Sequence, residues 1–481
     1  MKLREYINNY YPCMNIINDH KITHITDNSK KILKNSIFVV LDNGVSYIEE
    51  AISKGAKTII LAKKLKNIVK TKNNRVNYLF VEHPKADLAR ILKMIYLERH
   101  KKMPILIAVT GTAGKTTSSS IIYQVIKKLG YDVLLIGSNG NYSYFGSFEK
   151  HKTTRNTTPS ISIIYELMNE HNLSYDYVII EVSSQGVVEG RVLDFEFDYS
   201  LITSFYKEHL EYHSNLSEYR NAKARILNNT KKMIVINSDM NSFNFFNELN
   251  TVKKLTFGVN SGDIRLEKIE NENLFMIRYC NKSYLINNRL EGDFNLQNIT
   301  GAFTLLLQLD FNEIKLLEAI NNIEPILGRM NLIYNEKQKI YVDYAHTITG
   351  VEEVLKYFSE LKENRIITVI GCGGERDKSR RPIIGKLATT YSDLVIFTED
   401  NSRSENPRDI INEIISGCEN NNYFIEIDRY KAIKLAYDIS KKEDIVLILG
   451  KGNENTLVSK DKNIEFNDIE IVKEIVKGEN K

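Results

Sequence analysis

Residues 110–117 read Thr-Gly-Thr-Ala-Gly-Lys-Thr-Thr, directly after the apolar run Pro104-Ile-Leu-Ile-Ala-Val109 and directly before a stretch of helical character. A buried strand, a glycine loop ending in Lys-Thr and then a helix leave few folds open. The loop must sit at the carboxyl end of a strand in an α/β sheet, with the helix N-terminus beneath it. Gly111 and Gly114 lack the Cβ atoms that would keep backbone N–H groups from phosphate oxygens. Lys115 supplies a point charge for the terminal phosphates, and the Thr116 hydroxyl is a ligand for Mg²⁺. The G-x-x-G-K-T spacing is shorter than the common G-x-x-x-x-G-K-[ST] loop. An ordinary strand-to-helix turn would not need Lys-Thr-Thr, so the expected ligand is ATP, with Gly111, Thr112, Ala113, Gly114, Lys115, Thr116 and Thr117 around its phosphates.

At 481 residues the chain is too long for one core, and about 150 residues per domain suggests three. Sixty-five basic against 61 acidic residues leave a net charge of only +4. Runs such as Lys63-Lys64 and Lys70 to Arg75 therefore read as solvated faces and not as a nucleic-acid surface. The four cysteines, Cys13, Cys280, Cys372 and Cys418, form no C-x-x-C pair, which argues against a disulfide framework or a structural zinc site. Met1-Lys-Leu-Arg-Glu-Tyr6 has no apolar signal core, and no run is long enough to span a membrane. The expectation is a cytoplasmic protein, without membrane insertion.

The first hundred residues hold strand candidates at 36–41, 58–62 and 78–81, with a helical stretch near 47–54 closed by Gly55. After Glu98-Arg-His-Lys-Lys102 the phosphate loop opens a second unit, with strands expected at 106–110, 132–136, 177–182, 200–203 and 233–237 alternating with helices. That alternation implies a mostly parallel sheet. A third series starts near Gly328, with strands at 340–343, 366–370, 394–398, 423–427 and 445–449. Each runs into a polar or glycine motif: Asp343-Tyr-Ala-His, Gly371-Cys-Gly-Gly-Glu-Arg-Asp, Glu399-Asp-Asn-Ser-Arg, Asp428-Arg and Gly450-Lys-Gly-Asn-Glu. Ligands of open α/β sheets bind at the carboxyl ends of strands, so these motifs should line one cleft. The fold class is α/β: a small N-terminal α/β domain (1–101), a central ATP-binding domain with a mostly parallel sheet (102–327) and a C-terminal Rossmann-like domain (328–481).

The motifs taken in order are the phosphate loop, Asn156-Thr-Thr-Pro159, Glu181-Val-Ser-Ser184, Glu208-His-Leu-Glu-Tyr-His213, Ala222-Lys223, Asn295, Gly328-Arg-Met330, Asp343-Tyr-Ala-His346 and Gly371-Cys-Gly-Gly-Glu-Arg-Asp-Lys378. This series resembles the Mur ligases over essentially the whole chain, and most closely the branch that adds the third residue of the peptidoglycan stem peptide. The resemblance implies an ATP-dependent amide ligase in cytoplasmic cell-wall precursor synthesis. Its three domains would bind a UDP-sugar peptide, ATP and an amino acid, and the chain would work as a monomer.

It also implies roles residue by residue. Thr116 and Glu181 match the ligands of one Mg²⁺, His209 that of a second, and Lys223 the lysine carried as a carbamate. Local pattern alone would make Lys223 a helix-surface lysine; only the resemblance reverses that. Arg329 matches an arginine reaching the ATP phosphates from the third domain, Asp343 an acid near the ribose and Asn298 an adenine contact. Ser29, Asn156, Thr157, Thr158, Ser183 and Arg191 match UDP-sugar contacts. Thr158 before Pro159 also reads as a helix N-cap, and the two readings are compatible. For the amino acid, Arg376, Asp400, Asn401, Ser402, Arg403, Gly450 and Glu454 match the binding groups. Arg403 in this motif goes with meso-diaminopimelate, or a similar diamino diacid such as lanthionine, in preference to lysine.

The sequence departs from the family pattern around both substrates. Ala113 stands where Asn is usual, Gln185 where His is usual, and Glu189 at a commonly neutral position. Asn28-Ser29-Lys30 replaces Asp-Ser-Arg, and the loop after Leu41 lacks an Asp-Gly-His segment. Ser402 stands for proline and Asn453 for histidine. A paralogue joining an amino acid to another carboxylate acceptor is the alternative these changes leave open.

Overall fold

The computed structural model describes the chain except residues 42–43, 70–72, 155, 171–173, 209–211, 250–251, 270–273, 288, 461 and 480–481. His209, the start of the loop after Leu41 and residues 70–72 of the basic run thus lie outside the described residues.

Three sheets organise the molecule, with a small two-stranded ribbon near the C-terminus. The first has four parallel strands in chain order, Ile25–Thr26, Ile37–Val39, Thr58–Ala62 and Asn77–Val81. Helices Leu3–Tyr10 and Pro84–His100 cover one face, and helix Ile48–Ser53 the other. The short runs found in the sequence are apolar throughout because both faces are covered. The first strand, Ile25–Thr26, is too brief to leave a periodic signal.

The central sheet has eleven strands. Its middle is parallel, with Ile105–Thr110 between Phe197–Ile202 and Tyr177–Glu181. Antiparallel hairpins extend both edges, through Gly140–Phe145 and Phe148–Lys152 at one end and Leu274–Tyr279 and Lys282–Asn287 at the other. The hairpins were not visible in the sequence, because every residue of Phe148–Lys152 is exposed or half-buried and no apolar run marks it. Helices Lys115–Lys128 and Asp293–Leu306 pack on one face, and Ile161–Met168 on the other.

The last sheet has six strands in the order Asn331–Asn335, Lys339–Asp343, Ile445–Leu449, Ile366–Ile370, Leu394–Phe397 and Tyr423–Ile425. Only the first pair is antiparallel. Helices Ile348–Leu361, Arg380–Tyr391 and Pro407–Ile415 cover one face, and Arg429–Ile439 with Asp468–Glu479 the other. All five strands expected here are present, with their carboxyl ends on one side. Among the described residues, no helix is long and apolar enough to cross a membrane.

Candidate active site

The phosphate loop is wedged at the end of strand Ile105–Thr110. Gly111 and Gly114 have φ of 150° and 78°. A Cβ on Gly111 would collide with Thr203 Oγ1, and one on Gly114 with Asn298 Oδ1. Glycine is required at both by backbone conformation and by space. Asn298 thus stands against the loop, its Nδ2 donating to Asn295 Oδ1 at 2.9 Å. Thr203 Oγ1 donates to Ala113 O at 2.6 Å, and the Thr112 and Tyr219 hydroxyls are 2.8 Å apart. Lys115 Nζ folds back over the loop and donates to Gly111 O at 2.7 Å and Thr112 O at 2.9 Å. Burial pulls its pKa down to about 8, Glu181 and Glu208 opposing and Arg329 adding to the fall. Phosphate oxygens brought to that loop would further favour its charged form.

Glu181, 1% exposed at the end of strand Tyr177–Glu181, accepts three hydroxyl bonds. They come from Thr116 at 3.0 Å, Ser119 at 3.1 Å and Ser138 at 3.1 Å. Gly137 makes the room, since a Cβ there would collide with Glu181 Oε1. Ser119 and Ser138 escaped the sequence reading, because serines on a helix and after a strand carry no distinctive spacing. Arg329 Nη2 reaches across from the third unit and donates to Thr116 Oγ1 at 3.0 Å. Arg329, Thr116, Lys115 and Glu181 therefore meet in space.

Lys223 is not the surface lysine that local pattern predicts. It is 1% exposed on helix Leu216–Asn228, with Nζ 4.7 Å from the Tyr219 ring centroid. Burial holds its pKa well below the ordinary lysine range; nearby Lys115 adds to this and Glu208 opposes it. Local pattern misled because the surroundings that bury Lys223 include Lys115, far earlier in the chain.

The residues matched to the UDP-sugar fall into two groups. Thr157, Thr158, Ser183 and Arg191 adjoin Glu181. Thr157 Oγ1 is 2.9 Å from Ser138 Oγ, and Thr158 Oγ1 donates to Glu181 O at 2.8 Å. The N-cap expectation for Thr158 fails: helix Ile161–Met168 begins after Ser160, and the Thr158 hydroxyl also accepts from Ser183 N at 2.9 Å. Tertiary bonds outcompete the local cap. Ser183 Oγ itself caps the next short helix by accepting from Gly186 N at 3.0 Å. Arg191 Nη1 donates to Thr158 O at 2.8 Å, while its Nε and Nη2 both donate to Glu189 Oε2. Gln185 Nε2 and Tyr212 OH donate to the other Glu189 oxygen at 2.9 and 3.0 Å. Asn156 is exposed. Ser29 lies in the first sheet's loops, where its hydroxyl donates to Glu50 Oε2 at 2.7 Å. Neighbouring Asp27 accepts from Ser162 Oγ at 2.8 Å, which ties that loop to helix Ile161–Met168.

Asp343 gives both carboxylate oxygens to backbone amides, Met330 N at 2.7 Å and Ala345 N at 2.6 Å. It therefore braces the Arg329 linker, and burial raises its pKa. Gly328 and Met330, either side of the arginine, have φ of 65° and 44°. A Cβ on Gly328 would collide with Asn453 N.

The amino-acid motifs converge as the strand ends predict, with one exception. Arg403 (φ 53°) is half-buried and donates from Nη1 to Gly374 O and Asn401 O. Burial and the adjacent Arg376 pull its pKa down. Within electrostatic range of Arg403 stand Asp400, 6% exposed, and Glu454, whose Oε2 accepts from Asn401 Nδ2 at 2.8 Å. Gly450 (φ 116°) lets the backbone pass Asp400. Ser402 Oγ is buried without a hydrogen-bond partner. Lys451 went unassigned in the sequence although it lies inside the quoted Gly-Lys-Gly motif. It is fully buried and donates to Asn401 Oδ1 at 3.2 Å, Glu454 Oε2 at 3.0 Å and Thr456 O at 2.8 Å. The exception is Asp428-Arg429. Arg429 is buried behind the cleft, paired with Asp468 and donating to Leu449 O. Asp428 caps its own helix. That motif braces strand ends and does not line the cleft.

Residues 109–306 match the Mur ligase middle domain, and residues 328–452 the Mur ligase glutamate ligase domain. The UDP-N-acetylmuramoyl-L-alanyl-D-glutamate–2,6-diaminopimelate ligase of Clostridium tetani is 31% identical, covering 99% of each chain. The protein of that name from Fusobacterium nucleatum is 34% identical over 95% of each. The chain belongs to the Mur ligase family. A solved structure of a ligase of the same description superimposes with a TM-score of 0.68 at 25% identity, covering 99% of both chains. As a Mur ligase, this protein is an ATP-dependent enzyme that joins a carboxylate to an amine.

Proposed function

We propose that this Mur ligase adds meso-diaminopimelate, or a similar diamino diacid, to UDP-N-acetylmuramoyl-L-alanyl-D-glutamate. Residues 1–101 with the loops after Asn156 and Glu181 would take the UDP-sugar peptide, 102–327 the ATP, and 328–481 the amino acid. The acceptor carboxylate attacks the γ-phosphorus, an acyl phosphate forms and ADP leaves. The amine then attacks the acyl carbon, the tetrahedral intermediate collapses and phosphate departs. Lys115 and Arg329 balance the charge that builds on the phosphoryl oxygens.

The donor set around Glu181 suits a hard cation: one buried carboxylate among hydroxyls, all oxygen. Thr116 and Glu181 would hold Mg²⁺, and His209 with a carbamylated Lys223 a second ion; the metal supplies charge neutralisation along the phosphates. Burial favours the neutral form of Lys223, on which a carbamate forms.

The observation that carries the amino-acid assignment is the closeness of Arg403 and Arg376, both beside Gly373, with Asp400 and Glu454 within electrostatic range. A diamino diacid presents a carboxylate to the arginines, where lysine would present an ammonium. A second reading, another carboxylate acceptor, is favoured by Glu189, which occupies the face of Arg191 that a carboxylate or phosphate would use. Turnover with ATP, the UDP-dipeptide and a panel of amino acids tests both. We expect kcat/KM for meso-diaminopimelate to exceed that for L-lysine by roughly a hundredfold. Equal values remove Arg403 from the specificity argument, and no amide with the UDP-dipeptide but amide with another acceptor establishes the second reading.

A further inference from the structure

Tyr344 follows Asp343 at the end of strand Lys339–Asp343 and has no part in the assignments above. Its half-buried ring is held on several sides. The Arg329 guanidinium carbon stands over the ring face, 4.5 Å from the centroid. His346 meets the ring at 72°, with centroids 4.7 Å apart, and its Nδ1 lies 2.7 Å from Tyr344 O. Burial and Arg380 pull that imidazole down to about 4, so it is neutral and does not compete with Arg329 for the ring. Gly452 closes another side, because a Cβ there would lie 2.8 Å from Tyr344 Cβ.

At the far end of the ring the hydroxyl donates to Glu454 Oε1 at 3.2 Å. The other Glu454 oxygen is taken by Asn401 and Lys451. Burial and Glu454 raise the phenol above the ordinary tyrosine range. It therefore stays a fixed donor at any working pH and does not shuttle protons. One side chain thus touches both the arginine that reaches Thr116 in the phosphate loop and the glutamate of the amino-acid loop.

We propose that Tyr344 is a positioning residue that couples the nucleotide and amino-acid halves of the active site. Its face holds the Arg329 guanidinium where Nη2 reaches Thr116, and its hydroxyl holds one Glu454 oxygen while Asn401 and Lys451 hold the other. A rigid ring transmits displacement from one end to the other, whereas a flexible aliphatic chain would absorb it. The ring thereby fixes one group in each half, Arg329 through its face and Glu454 through its hydroxyl. The inference rests on the roles given above to Arg329 and Glu454.

Two substitutions separate the two ends. Tyr344→Phe keeps the ring and removes the hydroxyl; Tyr344→Leu removes both. Calorimetric titration with adenylyl imidodiphosphate and Mg²⁺ should show binding weakened roughly tenfold by Tyr344→Leu and less than about twofold by Tyr344→Phe. In steady-state assays Tyr344→Phe should raise the KM for the amino acid about three- to tenfold with the KM for ATP unchanged. That rise should vanish in a Glu454→Ala background, because the hydroxyl acts only through that carboxylate. A tyrosine that merely supported the fold would move both KM values together and add its effect to Glu454→Ala. Analogue binding by Tyr344→Leu at the wild-type level overturns the arginine half, and an unchanged amino-acid KM in Tyr344→Phe overturns the glutamate half. Absence of amide formation by the wild type would instead sink the proposed function, while the titration still decides whether the ring holds Arg329.

Discussion

The central unit meets its two neighbours in opposite ways. Toward the N-terminal sheet the contact is apolar and continuous: Leu3, Ile7, Val39 and Leu88 belong to the same buried cluster as Ala108, Ile136, Ile164 and Ile180. Tyr96 and Tyr165 add a ring contact across it at 5.9 Å. Toward the C-terminal sheet the contacts are fewer and mostly polar: Arg329 to Thr116, Tyr206 to Glu353 and Tyr357 to Glu291, with Phe294 packed against the C-terminal core. A cavity of about 580 Å³, lined in part by Lys268, Arg289, Glu291, Lys339 and Tyr357, lies along this second seam. The third unit keeps its own cores on both faces of its sheet. Burying a dry apolar seam is worth about 25 cal/mol per Å², whereas exposed polar contacts contribute little and re-form easily with water. The difference predicts which part is scaffold and which part moves: the N-terminal sheet is built into the central body, and the C-terminal unit is expected to close on it.

The largest expected effect comes from cutting the polar seam at Arg329. Arg329→Ala should lower kcat by about a thousandfold while changing stability by less than about 0.5 kcal/mol. Stopped assays beside thermal melts would show it, and a kcat loss below tenfold would mean that the arginine serves the seam and not the phosphates.

Next comes the apolar seam. Leu88→Ala should destabilise the N-terminal and central body by about 2–5 kcal/mol, and Phe397→Ala the C-terminal unit by about 3–5 kcal/mol. Calorimetry should resolve two transitions, each variant lowering only its own. A single transition shifted by both substitutions would break the comparison.

The smallest effect concerns pH. Burial, with Glu208 nearby, raises the Glu353 carboxyl from its ordinary value of 4.5 to about 7. Docked against Tyr206, the group binds more protons than it does when released, between roughly pH 4.5 and 7. The docked state is therefore favoured at low pH and weakened as pH rises through 7. Small-angle scattering should show a slightly larger radius of gyration at pH 8.5 than at pH 5.5 in the wild type, and no such change in Glu353→Gln. An unchanged radius in the wild type would remove Glu353 from the closing motion.

Several parts of the site were readable from the chain because their signals are local. The phosphate loop announces itself through two glycines and Lys-Thr after a buried strand. The C-terminal motifs announce themselves by following apolar runs, and parallel sheets place all such ends on one side. Asp428-Arg429 has the same local look, yet Arg429 turns inward to Asp468, 39 residues on, and braces the sheet. Lys223 shows the reverse case, a helix lysine buried near Lys115, a residue far from it along the chain. Thr158 and Pro159 imitate a helix start, but the Thr158 hydroxyl finds Glu181 O and Ser183 instead.

By itself, then, the sequence determined the α/β class, the strand that ends in the glycine loop, the strand ends that carry the C-terminal motifs and the family they belong to. These follow from glycine conformation, apolar runs and residue order along the chain. Only the tertiary structure decided that Arg329 meets Thr116 across more than 200 positions, that Glu181 sits among three hydroxyls, that Glu189 covers Arg191, and that Tyr344 spans Arg329 and Glu454. Such meetings depend on how strands far apart in the chain are ordered in a sheet and how separate units dock. Burial and distance, and hence charge state, are set by that docking and by no local pattern of residues.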